Sequence, residues 1–417
     1  MTRRRLALVG AVLLVAACME RLTAPGHCPD YCPSGQITIV DTLLTTSISR
    51  DSSYRGYVLA HQAPLMLAAH VPGATDTLDS RPIFRINGYG LHFRISTADT
   101  STGAILGADS ARLQVYVVRR DTAARNLRLQ FYRLPITIDT STTFGSVAAP
   151  FTDSLLRTVN VDTLLAQPGR KDTVTGDSVA VDTVNHRLVL SLKLDSSAAR
   201  YVGTDSGTVA YGIRIAADTL ASIAFGKGSF GPVLQWYLRV DSLGMPVARK
   251  PGILGAAFAS FVFAPPPAPL VSTLVVGGVP SARSLLRVAF PKVIRDSSQI
   301  IRGTLILVPA VPARGAAADS FVIEARTVFA DFGGKSPIDP RLGDTTLIHV
   351  GATDTVKIEV TNLLQLWAAD STHPTTLALR AQAEAQFLGE IRFYPSLAAK
   401  RPALQITFVR RFPFGVP

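Results

Sequence analysis

At 417 residues the chain exceeds one comfortable domain, and two large domains are the expectation. A hydrophobic share of 47% against 17% charged residues excludes an intrinsically disordered chain; ordinary glycine and proline contents exclude collagen-like and low-complexity classes, and three cysteines exclude a disulfide scaffold. The formal charge of +12 comes mostly from arginines scattered singly, a distribution that favours solubility and offers no track for nucleic acid.

Arg3, Arg4 and Arg5 precede an apolar run from Leu6 to Ala17, which has secretory length and is too short to span a bilayer. The run closes in Val15-Ala16-Ala17-Cys18, which resembles the lipobox of bacterial lipoproteins. That resemblance implies a signal peptide over 1–17, diacylation of Cys18 and a membrane partner reached through the lipid. Met19 stands where a retention Asp would, which implies the outer membrane or the cell surface. In the anchor segment 18–35, Cys28 and Cys32 are the remaining thiols, and an oxidising compartment makes a local disulfide the expectation. A metal clip with His27 is the weaker alternative, because structural zinc needs four ligands.

From Gln36 onward, short β-rich runs alternate with period two between Asp-Thr, Asp-Ser, Gly and Pro punctuation. The clearest strands are Leu113 to Val118, Leu127 to Leu134, Leu188 to Leu194, Ala210 to Ile215, Val233 to Val240, Thr304 to Val308, Phe321 to Val328, Thr376 to Ala381 and Leu404 to Val409. No long helix separates them, so the expectation is an all-β chain of two tandem antiparallel sandwiches. Consecutive prolines at 265–267 stiffen the segment 264–270, which is taken as the linker between a first domain over 36–263 and a second over 271–411, with a tail over 412–417. An internal repeat crosses this linker. Leu65 to Pro72 followed by Arg81 to Ile86 parallels Leu274 to Pro280 followed by Arg283 to Val288. Likewise Ile223 to Phe225 with Pro232 to Leu238 parallels Ile391 to Phe393 with Pro402 to Phe408.

Within 271–411, four stretches carry a family resemblance: Arg283 to Phe290, Ile301 to Leu307, Val360 to Trp367 and Arg401 to Thr407. Together they resemble the DNRLRE-type, carbohydrate-binding-module-like jelly rolls of bacterial exported proteins. Ser281-Ala282 replaces the leading Asp-Asn of that pattern, and the first unit matches only at its two ends. The resemblance implies a jelly roll and glycan as the favoured ligand class.

Motifs that imitate catalytic or nucleotide sites fail on context. Gly226 to Gly231 has the spacing of a dinucleotide fingerprint, but Pro232 and an alternating strand follow where a helix is required, so a glycine turn is expected. Gly334-Lys335-Ser336 lacks the first glycine of a P-loop, and Asp331-Phe332-Gly333 lacks every other kinase element. Ser178 after Gly176-Asp177, with Asp370 and His373, spells a hydrolase triad, yet Ser178 falls in one unit and His373 in the other. The histidines form no pair at metal-ligating spacing, so neither metal nor cofactor is expected. Trp236 alternates with Leu234 and Leu238, and Trp367 follows Leu363 and Leu364 at helical spacing; both are expected in cores.

One pattern points outward. If Leu113, Val115 and Val117 face the core, Gln114 and Tyr116 face solvent; the same parity exports Gln130 and Tyr132, then Gln235, Tyr237 and Arg239. Flat tyrosine rings beside planar hydrogen-bonding groups suit a polysaccharide, provided the three strands share one sheet. The chain therefore reads as a non-catalytic, lipid-anchored envelope protein that binds glycan. Its alternatives are a structural or adhesion module contacting another envelope protein and, third, an exported serine hydrolase.

Overall fold

Period-two alternation gives each strand one dry face. Within Val233–Val240, Leu234, Trp236, Leu238 and Val240 are buried and Arg239 is open to solvent. The computed structural model describes residues 39–70, 79–95, 101–165, 169, 171–198, 201, 205–219, 221–241, 248–264, 272–315 and 320–410. The signal peptide, Cys18, Cys28, Cys32, the linker beyond 264 and the tail lie outside the described residues. The chain is all-β, built from antiparallel sheets with a few short helices.

The described strands fall into two arms and two bodies. The first arm is β1 (Ile39–Leu44) and β2 (Ile48–Arg55). The first body holds β3 (Met66–His70), β4 (Ser80–Ile86), β5 (His92–Arg94), β6 (Thr102–Arg120), β7 (Arg128–Leu134), β8 (Leu155–Asn160), β9 (Ser178–Asp182), β10 (Arg187–Leu194), β11 (Val209–Ala216), β12 (Ala221–Phe225) and β13 (Val233–Val240). The short helices α1 (Pro150–Asp153) and α2 (Val161–Leu165) flank β8. The second arm is β14 (Ala248–Gly255) and β15 (Phe258–Phe263). The second body holds β16 (Leu274–Gly277), β17 (Ala282–Val288), helix α3 (Lys292–Ser297), β18 (Ser298–Leu307), β19 (Ser320–Val328), β20 (Ile338–His349), β21 (Val356–Glu359), helix α4 (Thr361–Ala369), β22 (Thr376–Ala381), β23 (Glu390–Phe393) and β24 (Ala403–Arg410).

The arms are crossed. β14 and β15, which lead into the second body, pair with β13 and β4 of the first. β1 and β2, which lead into the first body, pair with β24 and β17 of the second. The two arrangements share one register: Arg85 faces Phe258 as Arg287 faces Arg50, and Gln235 faces Ile253 as Gln405 faces Leu43. Residues 39–55 therefore complete the second sandwich, and the expected first-domain span of 36–263 differs from the pairing at this end. Alternation tells a strand which face is dry; it does not say which edge the strand will join.

Sheet order follows from this exchange. In the second sandwich β1-β24-β18-β21 faces β20-β19-β22-β17-β16-β23, with β2 on the outer edge of β17. In the first, one continuous sheet runs β14-β13-β6-β12-β3-β4-β11-β7-β8, and β6 is long enough to take three partners along it: residues 105–114 pair with β13, 111–117 with β10 and 117–120 with β12. The sequence repeat survives as matched pairing, since Met66 faces Phe225 and Leu274 faces Phe393.

Each sandwich encloses its own core. Phe84, Leu113, Phe131, Tyr211 and Trp236 fill the first; Leu286, Leu305, Phe321, Leu364, Trp367 and Ile406, with Ile48 from the crossed arm, fill the second. The Leu363, Leu364 and Trp367 face of α4 is buried, and it lies so close to β18 that a Cβ at Gly303 would come within 2.3 Å of Leu364 Cδ1. A third apolar cluster bridges the sandwiches, joining Leu67 and Phe261 to Val279 and Leu388. Beside it Arg119 lies 4.0 Å from the Phe387 ring centroid and donates to Gln386 O at 3.0 Å.

Candidate functional site

The expected outward residues fall into two groups. β6 and β13 are neighbours, with Val233 opposite Gln114, Arg112 opposite Gln235 and Ser110 opposite Tyr237. Gln114, Tyr116, Gln235, Tyr237 and Arg239 therefore occupy one outer sheet face. Gln130 and Tyr132 do not join them. Their strand, β7, pairs with β8 and β11 towards the far end of the same continuous sheet, with β12, β3, β4 and β11 between it and β6. Tyr132 does point away from Phe131, as parity requires, but α1 covers that side. Its ring lies 5.2 Å from Phe151 within a small cluster that includes Ile83, Leu134 and Val262, and only 4% of the residue is exposed. Tyr132 is a packing residue, because a helix covers a sheet face that alternation alone leaves open.

On the shared face the rings are braced. Tyr237 carries the Arg249 guanidinium 4.6 Å from its centroid, and Arg249 lies 3.6 Å from Asp109, which also lies 3.4 Å from Arg239. Tyr116 meets Phe230 edge-on at 6.2 Å, and Arg187 stacks 3.3 Å from the Phe230 centroid.

Next to Tyr237 the face sinks into a recess of about 540 Å³, roofed by the 171–176 loop. Arg112 forms its floor: Nε donates to Ser191 Oγ and Nη2 to Gly176 O, both at 3.1 Å. Gly176 has φ +74, and a Cβ there would touch Lys193 Cδ at 3.4 Å and Lys171 Cε at 3.6 Å, so the two lysine stems flank it. Arg249 supplies a fourth cation. Asp172 is the one acid in the lining, and it is turned to its own loop, accepting the amides of Val174 at 2.7 Å and Thr175 at 3.1 Å. Those two amides hold its carboxyl below the usual carboxylate range. Beneath the loop, Asp177 is 1% exposed, paired with Arg157 at 2.5 Å and accepting Lys193 N at 2.8 Å, so it staples loop to sheet.

The repeat-related position of the second sandwich holds another recess, of about 450 Å³. Matching registers put Thr304 where Arg112 stands, Glu359 where Lys193 stands and Thr407 where Tyr237 stands. Arg302 and Lys357 are balanced there by Asp41 and Glu359. The same place in the repeat is basic and aromatic in one unit, neutral and threonine-rich in the other.

The hydrolase-like residues are not brought together. Ser178 opens β9 in the first sandwich, and Asp177 is occupied by Arg157. His373 lies in the second, with Nδ1 3.4 Å from Thr327 Oγ1 and 3.2 Å from Pro374 O, while Asp370 accepts the amide of Thr372. Gly228–Phe230 is a single 3-10 turn between β12 and β13, which matches the expected glycine turn. Among the described residues no group of three metal-ligating side chains occurs, and no helix is long and apolar enough to cross a membrane.

Sequence reading missed Arg112, Lys171, Lys193 and Arg249. Arg112 shares the outward parity of Gln114 and was legible in principle; the others join it only through strand pairing and the loop fold.

No known family profile and no curated protein matches the chain. Among solved structures, an alpha-L-rhamnosidase from Dictyoglumus thermophilum aligns at 10% identity and TM-score 0.14, over 85% of this chain and 35% of its own length. The chain thus spans about a third of that protein. A structure titled BspA_C_mut aligns at 9% identity and TM-score 0.14, over 84% of this chain and 91% of its own.

Proposed function

We propose that the protein is a non-catalytic, lipid-anchored component of a bacterial cell envelope whose tandem jelly-roll-like sandwiches bind glycan through the outer face of the first. The observation that supports this most is the convergence of Gln114, Gln235 and Tyr237 on adjacent strands beside an open recess. Neighbouring strands lie roughly 4.8 Å apart, a spacing on which an extended sugar chain can be followed ring by ring. Exposed contacts of this kind are individually modest, so weak binding is expected.

Tyr116→Ala combined with Tyr237→Ala should abolish retention by the cognate polysaccharide in affinity electrophoresis and leave thermal unfolding nearly unchanged. Tyr132→Ala should behave in the opposite way, costing about 3 kcal/mol of stability while retaining binding, because a buried aromatic is lost far from the recess. Normal retention by the double variant would remove the aromatic face from the function.

The anchor rests on the basic, apolar and Val-Ala-Ala-Cys order of the first eighteen residues. Cys18→Ala should leave the protein unprocessed or free of membranes. A mature-sized, acylated Cys18→Ala species still sedimenting with membranes would exclude lipidation at that residue.

A further inference from the structure

We propose, building on the glycan reading, that the recess beside Tyr237 selects acidic sugar units, taking their carboxylate or sulfate between Lys171 and Lys193. Four cations line it, and they are not equally engaged. Arg112 is committed to Ser191 and Gly176, and Arg249 to Tyr237, Ser110 and Asp109. Those two arginines shape the recess rather than offering free donors. The ammonium groups of Lys171 and Lys193 have neither ion pair nor hydrogen bond among the described residues, and both stems run past Gly176 toward the same space.

The acid that could neutralise them is withdrawn. Asp172 spends its carboxylate on two amides of its own loop, and Asp177 is buried under the loop against Arg157. A ligand anion entering the recess therefore meets two uncompensated ammonium groups beside a tyrosine ring. Lysine ammonium groups act as compact point charges with rotatable donors, and so accept planar carboxylate and tetrahedral sulfate alike. The second sandwich supplies an internal comparison: at the same register Lys193 is replaced by Glu359 and Arg112 by Thr304, and the lining charges cancel. The acidic selectivity belongs to the first recess alone.

The test is calorimetric titration of the whole chain with oligogalacturonate, sulfated dextran and unmodified dextran at low salt. Lys171→Gln with Lys193→Gln should weaken binding of the acidic polymer roughly tenfold, the loss expected for two exposed charge contacts, and added salt should erase most of the difference. The charge-matched pair Lys292→Gln with Lys400→Gln, on the exposed surface of the second sandwich, should leave it unchanged. Which acidic polymer responds tells carboxylate from sulfate. An equal loss in the charge-matched pair overturns the recess in favour of bulk positive charge. Acidic polymers bound no more tightly than unmodified dextran, and not weakened by Lys171→Gln with Lys193→Gln, overturn the acidic selectivity and leave the glycan reading standing. Binding of none of the three overturns both.

Discussion

Deleting residues 39–55 is expected to unfold the second sandwich and leave the first folded, although the deletion lies more than two hundred positions before the core it destroys. The arm supplies the outer strand of one sheet through β1 and of the other through β2. Its loss removes on the order of a dozen ladder hydrogen bonds, each worth roughly 1 kcal/mol net, against a whole-domain stability of about 5–15 kcal/mol. It also opens internal polar groups. Ser53 Oγ lies 2.7 Å from the buried Ser284 hydroxyl and accepts Val275 N at 2.9 Å, and Arg55 pairs with Glu390 at 2.7 Å. Ile48, 6% exposed, leaves the core with them.

The chain has two tryptophans, one in each core, which makes the outcome readable. In a Trp236→Phe background, Trp367 emission should report an exposed indole at urea concentrations where the full chain is native. A synthetic 39–55 peptide should restore burial. The antiparallel pairing of Ile39 with Val409 permits a stricter version: residues 272–410 joined by a tight two-residue turn to 39–55 should fold alone, whereas 272–410 should not. A native-like isolated 272–410 would mean that the arm is an accessory strand and not part of the cooperative unit.

Much of this architecture was legible before any coordinate. Alternation identified β10 and β24 as strands and gave the dry faces of β6 and β13, and the helical spacing of Leu363, Leu364 and Trp367 placed α4 against the core. The repeat between the units was readable because both copies retain a proline before a Gln-bearing strand, Pro232 with Gln235 and Pro402 with Gln405. The pairing of the first arm was not readable, since Ile39–Arg55 carries no signal that distinguishes a near partner from a distant one, whereas Ala248–Phe263, placed before the proline linker, pairs with the first body. Tyr132 shows a second limit: its parity is that of an exposed residue, and a four-residue helix nearby reverses the outcome. The recess shows a third. Lys171 sits in a loop, Lys193 on β10 and Arg112 on β6, and only the pairing of β10 with β6 and the 171–176 fold join them.

Trp367→Ala is expected to cost roughly 3–5 kcal/mol, the range for truncating a large buried aromatic. The indole is fully enclosed, with Phe290 edge-on at 6.0 Å and Leu363 and Leu364 on the same helix face. Filling the vacated space requires α4 to move, and Gly303 already lets the Leu364 side chain of that helix sit directly against β18. One polar contact adds to the loss: Nε1 is 3.4 Å from Thr327 Oγ1, a hydroxyl that also faces His373 Nδ1. Trp367→Phe keeps most of the apolar volume and gives up this donor, so it should cost clearly less than Trp367→Ala. In both variants Trp236 becomes the sole tryptophan and reports the first core. Urea unfolding followed by far-ultraviolet dichroism should therefore show an early transition from the second sandwich, while Trp236 fluorescence changes at its original midpoint. The bridging cluster of Leu67, Phe261, Val279 and Leu388 is small beside either core, which is why the two transitions are expected to separate. A loss below about 1 kcal/mol in Trp367→Ala would mean that α4 collapses into the vacated space, because a cavity that closes carries little penalty.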